Sequence, residues 1–147
     1  MDIREYTWEG IEIGVNSIAM QMFKDEWRPD YIVGITRGGL IPGVLLSHTT
    51  DIPMKTLCVQ LKSDGLEEVT EHNAQMARDA LKNNKKILII DDINRGGDAI
   101  SWIIDDWQDA IGMVGDYKSK SWHTNVRFAS LIDNPNSKVP MDYCNEE

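Results

Sequence analysis

Cationic side chains are scarce in this chain: 15 Lys and Arg face 24 Asp and Glu, for a formal charge of −9. Nucleic acid is gripped by Lys and Arg that neutralise phosphates and release counterions, so nucleic acid is not an expected partner. A small anion held by local amides, a few cations and Mg²⁺ remains compatible with that balance. Cysteine is equally sparse. Cys58 and Cys144 form no CxxC pair and keep no metal-ligand spacing with His48, His72 and His123, which points to a reducing compartment rather than a disulfide scaffold. No apolar run approaches the roughly 18 residues of a membrane span. The N-terminus, Met1-Asp2-Ile3-Arg4-Glu5, is too polar for a secretory leader. These absences lead to the expectation of a cytoplasmic protein with no membrane partner. Repeats and low-complexity tracts are missing too. The rest is ordinary globular composition, 41% hydrophobic and 27% charged, in 147 residues, a length that suits a single domain spanning 1–147.

What is there is an alternation of strand and helix patterns. Thr7 is a candidate N-cap, and Ile11, Val15, Ile18 and Met22 fall on one helical face after it. Tyr31 to Thr36 reads as a short buried strand, and Leu40 to Thr50 as a helix with Pro42 in its first turn. Residues 54–62 alternate as a strand with one covered side, near a sheet edge. Residues 63–73 are polar and read as a mobile loop, and Ala74 to Asn83 is weakly helical. Lys86 to Asp92 runs four apolar residues into two carboxylates, the pattern of a strand buried on both faces. Ile100, Ile103, Ile104, Trp107, Ile111 and Val114 mark an amphipathic helix, and Val126 to Ile132 a last strand. Asp133 to Glu147 reads as turns with little core material. Such alternation predicts an α/β fold with a doubly wound parallel sheet.

Six of the 11 glycines lie in windows 34–43 and 96–97, each at the end of an expected parallel strand. The C-terminal ends of such strands share one edge, where ligands bind. Thr36-Arg37-Gly38-Gly39 and Asp91-Asp92-Ile93-Asn94-Arg95-Gly96-Gly97 are therefore expected to face a common pocket. One loop offers a guanidinium and amides, and the other offers two carboxylates and further amides near a helix N-terminus, a seat for phosphate. Taken singly, Asp91-Asp92 fits a solvated strand end or a cap, and Arg37 a surface cation. Their pairing favours a site for a phosphorylated, hydroxyl-bearing ligand. Asp105, Asp106 and Asp109 read as a solvated helix face, the three histidines as surface or loop residues, and Trp102 and Trp107 as core or interface.

The segment Tyr31-Ile32-Val33-Gly34-Ile35-Thr36-Arg37-Gly38-Gly39-Leu40-Ile41-Pro42-Gly43 resembles the pyrophosphate loop of type I phosphoribosyltransferases. The stretch from Lys86 to Ala99 resembles that family's signature for phosphoribosyl pyrophosphate (PRPP). The similarity is greatest to small bacterial xanthine–guanine and hypoxanthine enzymes, over roughly residues 6–135. It implies transfer of a 5-phosphoribosyl group from PRPP to a purine-like base with release of pyrophosphate. It also implies Mg²⁺ as cofactor and a homodimer or higher homo-oligomer. In that scheme Asp91 and Asp92 hold the ribose hydroxyls and metal, and Thr36, Arg37, Gly38 and Gly39 hold pyrophosphate. Arg37 is grouped with the two aspartates as catalytic. Asn94, Arg95, Gly96, Gly97, Asp98 and Ala99 cradle the 5′-phosphate, and Ser63 and Asp64 open the flexible loop over the reacting centre.

Three departures stand beside the resemblance. Arg95 and Gly96 stand where the family carries Asp, its candidate general base, and Thr. Asp98 and Ala99 replace a small residue and the closing Thr, and a one-residue gap makes Asp98 the helix N-cap instead. Asp133-Asn134-Pro135 stands where the purine enzymes carry a base-recognising Lys, leaving Asn134 as the candidate base contact. The expected C-terminal hood is shortened or missing, with Tyr143 as the aromatic left to replace it. The alternative reading is a non-catalytic PRPP- or nucleotide-binding module. A third is a Rossmann-like domain for another phosphorylated metabolite.

Overall fold

The computed structural model describes residues 7–59, 71–113 and 118–147. In chain order the elements are α1 (Trp8–Lys24), β1 (Tyr31–Thr36), α2 (Leu40–Thr50), β2 (Met54–Cys58), α3 (Glu71–Leu81), β3 (Ile87–Asn94), α4 (Asp98–Ala110), β4 (Val126–Asp133) and β5 (Tyr143–Glu146). The strands form one five-stranded sheet in the order β2-β1-β3-β4-β5, parallel throughout. The doubly wound expectation holds.

Side-chain alternation explains the layers. On β3, Ile87 and Ile89 join Tyr31, Val33, Trp107 and Phe128 in the core beneath α3 and α4. Leu88 and Ile90 point the other way, into a core with Ile18, Ile32, Leu46 and Leu131 beneath α1 and α2. All four β3 residues are fully buried, which is why the run is continuously apolar. Thr7 caps α1 as expected, its Oγ1 accepting from the Gly10 N–H at 2.9 Å. β2 lies at the sheet edge, and there Leu57 is buried while Thr56 and Cys58 are exposed. Helix α3 starts at Glu71, earlier than the weak pattern from Ala74 suggests. No helix among the described residues is long and apolar enough to cross a membrane.

The C-terminal region departs from expectation. Rather than turns alone, it supplies β5, paired with β4 through Ala129–Tyr143 and Ser130–Cys144. Tyr143 is buried, its ring 6.1 Å from that of Trp27. Its hydroxyl accepts from Arg127 Nη1 at 2.7 Å and donates to Asp25 Oδ2 at 2.9 Å. Tyr143 is thus a core anchor, which corrects its assignment as a stand-in for a base-stacking aromatic. Four residues reading Tyr-Cys-Asn-Glu are too short and polar to show a period.

A buried pair ties α3 to β1. The Tyr31 hydroxyl donates to Asp79 Oδ2 at 2.9 Å, and Gln75 Nε2 donates to Asp79 Oδ1 at 2.9 Å. Burial pushes the Asp79 carboxyl up. The hydrogen bonds from Gln75 and Tyr31 and the charges of Lys85 and Lys55 outweigh burial and hold it below its ordinary value. A carboxyl lowered by folding stabilises above its unfolded pKa of about 3.9, and that contribution disappears as pH falls through the folded value. Urea unfolding at pH 7 should find Asp79→Asn about 2 kcal/mol less stable, with the gap narrowing below about pH 4. A gap independent of pH contradicts this account.

Candidate functional site

The chain leaves β1 toward β2 on one side and returns to β3 on the other, so the sheet's topological switch point lies between β1 and β3. In open α/β sheets the ligand crevice lies at such a point, at the strands' C-terminal ends, and both motif loops meet there. The Thr36–Arg37 peptide is cis, and Gly38 and Gly39 follow before α2. A Cβ on Gly38 would lie 2.5 Å from the Asp92 carboxylate. A Cβ on Gly39 would strike the Ile90 carbonyl oxygen and lie 2.8 Å from the Ile35 backbone. The two glycines are required by this close approach of β1's exit to β3.

The carboxylates end the buried part of β3. By the strand period Asp91 shares a face with Ile87 and Ile89, while Asp92 turns toward Gly38. Asp91 Oδ1 accepts the Asp92 N–H, and Asp92 Oδ1 accepts the Ile93 N–H, each at 2.8 Å. Burial, followed by the neighbouring Asp92 side chain, pushes the Asp91 carboxyl up to about 7, against the lowering effect of the Asp92 N–H. Ser130 pairs with Asp91 in the sheet register, and its buried hydroxyl has no partner among the described residues. Arg37 and Arg95 are exposed and enter no ion pair among the described residues. Two crowded carboxylates and two uncommitted guanidiniums suit a ligand bearing hydroxyls and phosphates, with a cation between.

Beside the carboxylates lies a pocket of about 260 Å³, lined by residues 91–100 and Met141. It contains every residue assigned from sequence to the 5′-phosphate. Gly97 adopts φ 84° and is the N-cap of α4, with no side-chain cap. Asp98 is therefore the first helical residue, which corrects its reading as N-cap. A glycine that takes the left-handed conformation completes the turn one residue early. The Asp98 carboxylate instead meets Lys138 Nζ at 2.5 Å.

The amides of buried Asn94 and exposed Asn134 both bond to other groups of the chain. Asn94 Nδ2 is within 2.8 Å of Asp133 Oδ1, 2.9 Å of Ser137 Oγ and 3.0 Å of the Val139 carbonyl. Asn134 Nδ2 donates to the Arg95 carbonyl at 2.6 Å, and its Oδ1 accepts the Asn136 N–H at 3.0 Å. The β4–β5 connection thus braces the loop that follows β3. Ser63 and Asp64 lie outside the described residues. His123 and Asp106, read from sequence as a surface or loop residue and as part of a solvated helix face, each have a partner. His123 Nδ1 lies 3.0 Å from Asp142 Oδ2, at the edge of the sheet away from the crevice. Asp106 is half-buried and accepts from Asn73 Nδ2 at 2.6 Å. Trp107 is core as expected, fully buried. Lys138, Ser130 and Met141 were not marked by sequence, since no motif links them to the loops they approach.

Residues 6–146 match the phosphoribosyl transferase domain. A purine phosphoribosyltransferase from Pyrococcus horikoshii is 27% identical with a TM-score of 0.72, covering 99% of this chain and 87% of that one. The xanthine–guanine–hypoxanthine enzyme of Helicobacter pylori is 18% identical with a TM-score of 0.65, covering 97% and 84%. A hypoxanthine phosphoribosyltransferase from Staphylococcus aureus is 22% identical with a TM-score of 0.63, covering 99% and 78%. With its parallel sheet, its two loops at the switch point and a domain match running from before α1 to the last residue of β5, the chain belongs to the phosphoribosyl transferase domain family and has the type I fold.

Proposed function

We propose that this protein, acting as a single phosphoribosyltransferase-like domain, transfers the 5-phosphoribosyl group of PRPP to a purine-like base and releases pyrophosphate. The observation that carries the reading is the meeting of Gly38 with the Asp92 carboxylate, which joins both loops at one crevice. Arg37 and the Gly38 and Gly39 amides hold the pyrophosphate, where a planar guanidinium fork suits paired phosphate oxygens. Asp91 and Asp92 face the ribose hydroxyls, and residues 95–99 cradle the 5′-phosphate beside the α4 N-terminus. As the bond from C1 to pyrophosphate breaks, negative charge grows on the leaving group beside Arg37. Fixed donors there stabilise the oxocarbenium-like transition state more than the ground state.

Asp91 and Asp92 fit Mg²⁺. They are hard oxygen donors in the pocket lining, and the raised Asp91 carboxyl marks a place where added positive charge is favourable. Asp91 and Asp92 would hold the ion, which would supply positive charge to offset that of the pyrophosphate. Among the described residues no group of three or more His, Cys, Asp or Glu could cage a metal. That suits an ion completed by substrate and water rather than by protein alone. A cytoplasmic setting and a homodimer belong to the same reading. The exposed large apolar side chains among the described residues, Trp8, Ile13, Met20, Phe23, Ile41 and Val44, all lie on α1 and α2, a surface suited to a second copy.

A non-catalytic PRPP-binding role is the second reading, favoured by Arg95. A guanidinium cannot accept the proton that a purine nitrogen loses. Asn134, the candidate base contact, already uses both ends of its amide. Pyrophosphate release measured with hypoxanthine, guanine and xanthine separates the two. Release with any of them establishes the transferase, and PRPP binding without release on every base establishes the binding module.

A further inference from the structure

The phosphate loop carries a charge pair that its expected role does not explain. Asp98 opens α4 with its side chain 68% exposed, and Lys138, 58% exposed, reaches it from the β4–β5 connection. The backbone of that connection is fixed against the loop. The Lys138 N–H donates to the Gly96 carbonyl at 3.2 Å, and a Cβ on Gly97 would lie 2.9 Å from Val139 N and 3.1 Å from Lys138 Cγ. The Lys138 ammonium thus meets Asp98, one of the residues lining the pocket, from a main chain that is hydrogen-bonded to the loop. A carboxylate in the first turn of a helix is favoured by the helix dipole and occupies the field that a phosphate would use.

We propose that Lys138 and Asp98 form a charge latch on this pocket, selective for a phosphate monoester dianion. In the free protein Lys138 neutralises Asp98. When a phosphorylated sugar enters, the ammonium swings from the carboxylate to the phosphate oxygens. Both side chains are more than half exposed, so Asp98 is rehydrated at little cost when released. The dianion offers Lys138 more charge than one carboxylate, which sets the direction of the exchange. A neutral sugar gains nothing from the exchange. Lys138 is therefore a binding residue, and Asp98 a restraint that keeps its ammonium at the pocket lining and weakens anion binding until Lys138 turns.

The inference rests on the reading of residues 95–99 as the phosphate cradle, and calorimetric titrations separate the two. Ribose 5-phosphate probes this pocket, and pyrophosphate with Mg²⁺ probes the Arg37 loop. Lys138→Ala should weaken ribose 5-phosphate about tenfold, the value of one charge-assisted hydrogen bond, and leave pyrophosphate affinity unchanged. Lys138→Arg should restore the loss. Asp98→Asn should bind ribose 5-phosphate several-fold more tightly, with the gain shrinking at high salt. If wild type binds ribose 5-phosphate and Lys138→Ala binds it equally well, the latch is wrong. It is also wrong if Asp98→Asn weakens binding as Lys138→Ala does, since the pair would then merely brace the loop. If wild type binds neither ribose 5-phosphate nor PRPP, the cradle itself is misassigned and the latch falls with it.

Discussion

Asp91→Asn and Asp92→Asn should each weaken Mg²⁺-dependent PRPP binding about 100-fold, from the loss of roughly 2–3 kcal/mol of charged contacts to hydroxyls and cation. The stability of the free protein should move the other way for Asp91. Its carboxyl is pushed up because it is buried beside a second carboxylate, and a neutral amide of the same shape removes that repulsion. The expected gain is on the order of 1 kcal/mol, or about 2–4 °C in melting temperature at neutral pH. A functional carboxylate held at a cost to the fold gives this opposition of signs. Calorimetry for affinity and thermal unfolding for stability check the two halves separately. Unchanged PRPP affinity in both variants would refute their assignment to ribose and metal.

Gly39→Ala should be among the most damaging single changes in the chain. Gly39 has ordinary right-handed helical angles, φ −78° and ψ −8°, so conformational freedom is not the reason. The added methyl would meet the Ile90 carbonyl oxygen and the Ile35 backbone, neither of which can rotate away. The Gly39 N–H also donates to the Ile35 carbonyl at 2.8 Å, so relieving the clash means parting α2 from β1. A loss of about 3 kcal/mol follows, or a fall of about 6–12 °C in melting temperature. Gly96→Ala is the internal control, since nothing lies within 4 Å of its added methyl, and its melting temperature should match wild type. Gly38→Ala falls between them. Its methyl meets a side chain, the Asp92 carboxylate, so it should displace that group and cost PRPP affinity more than stability. Equal melting temperatures for Gly39→Ala and Gly96→Ala would contradict the packing argument.

The sheet was legible because its central strands are buried on both faces, which writes β1 and β3 into the sequence as unbroken apolar runs. β5 left no such trace. Its burial rests on Tyr143 alone, held by Trp27, Arg127 and Asp25 from distant parts of the chain. The meeting of the two glycine-containing loops was legible for a different reason. Glycines and charges clustered at the ends of parallel strands have few structural uses, and parallel strands must end on a common edge. Individual roles within the loops were less accessible. Asn94 and Asn134 look like ligand contacts in sequence because both are polar and near the site, yet the Asn94 amide ties β3 to Asp133 and the β4–β5 connection, and the Asn134 amide ties that connection to the Arg95 carbonyl. The position of Asp98 turned on whether Gly97 would take a left-handed conformation, which glycine permits but does not require. The approach of Lys138 is a tertiary contact across 40 positions, with no local signature.

The central claim is that the crevice between β1 and β3 holds PRPP, and thermal unfolding with PRPP and Mg²⁺ tests it most directly. At a ligand concentration of about 100 times Kd, binding to the folded state adds about 2.7 kcal/mol, which should raise the melting temperature by roughly 5–10 °C. The rise should be lost in the Asp91→Asn, Asp92→Asn double variant. An unchanged melting temperature for wild type at millimolar PRPP and Mg²⁺ would contradict the account.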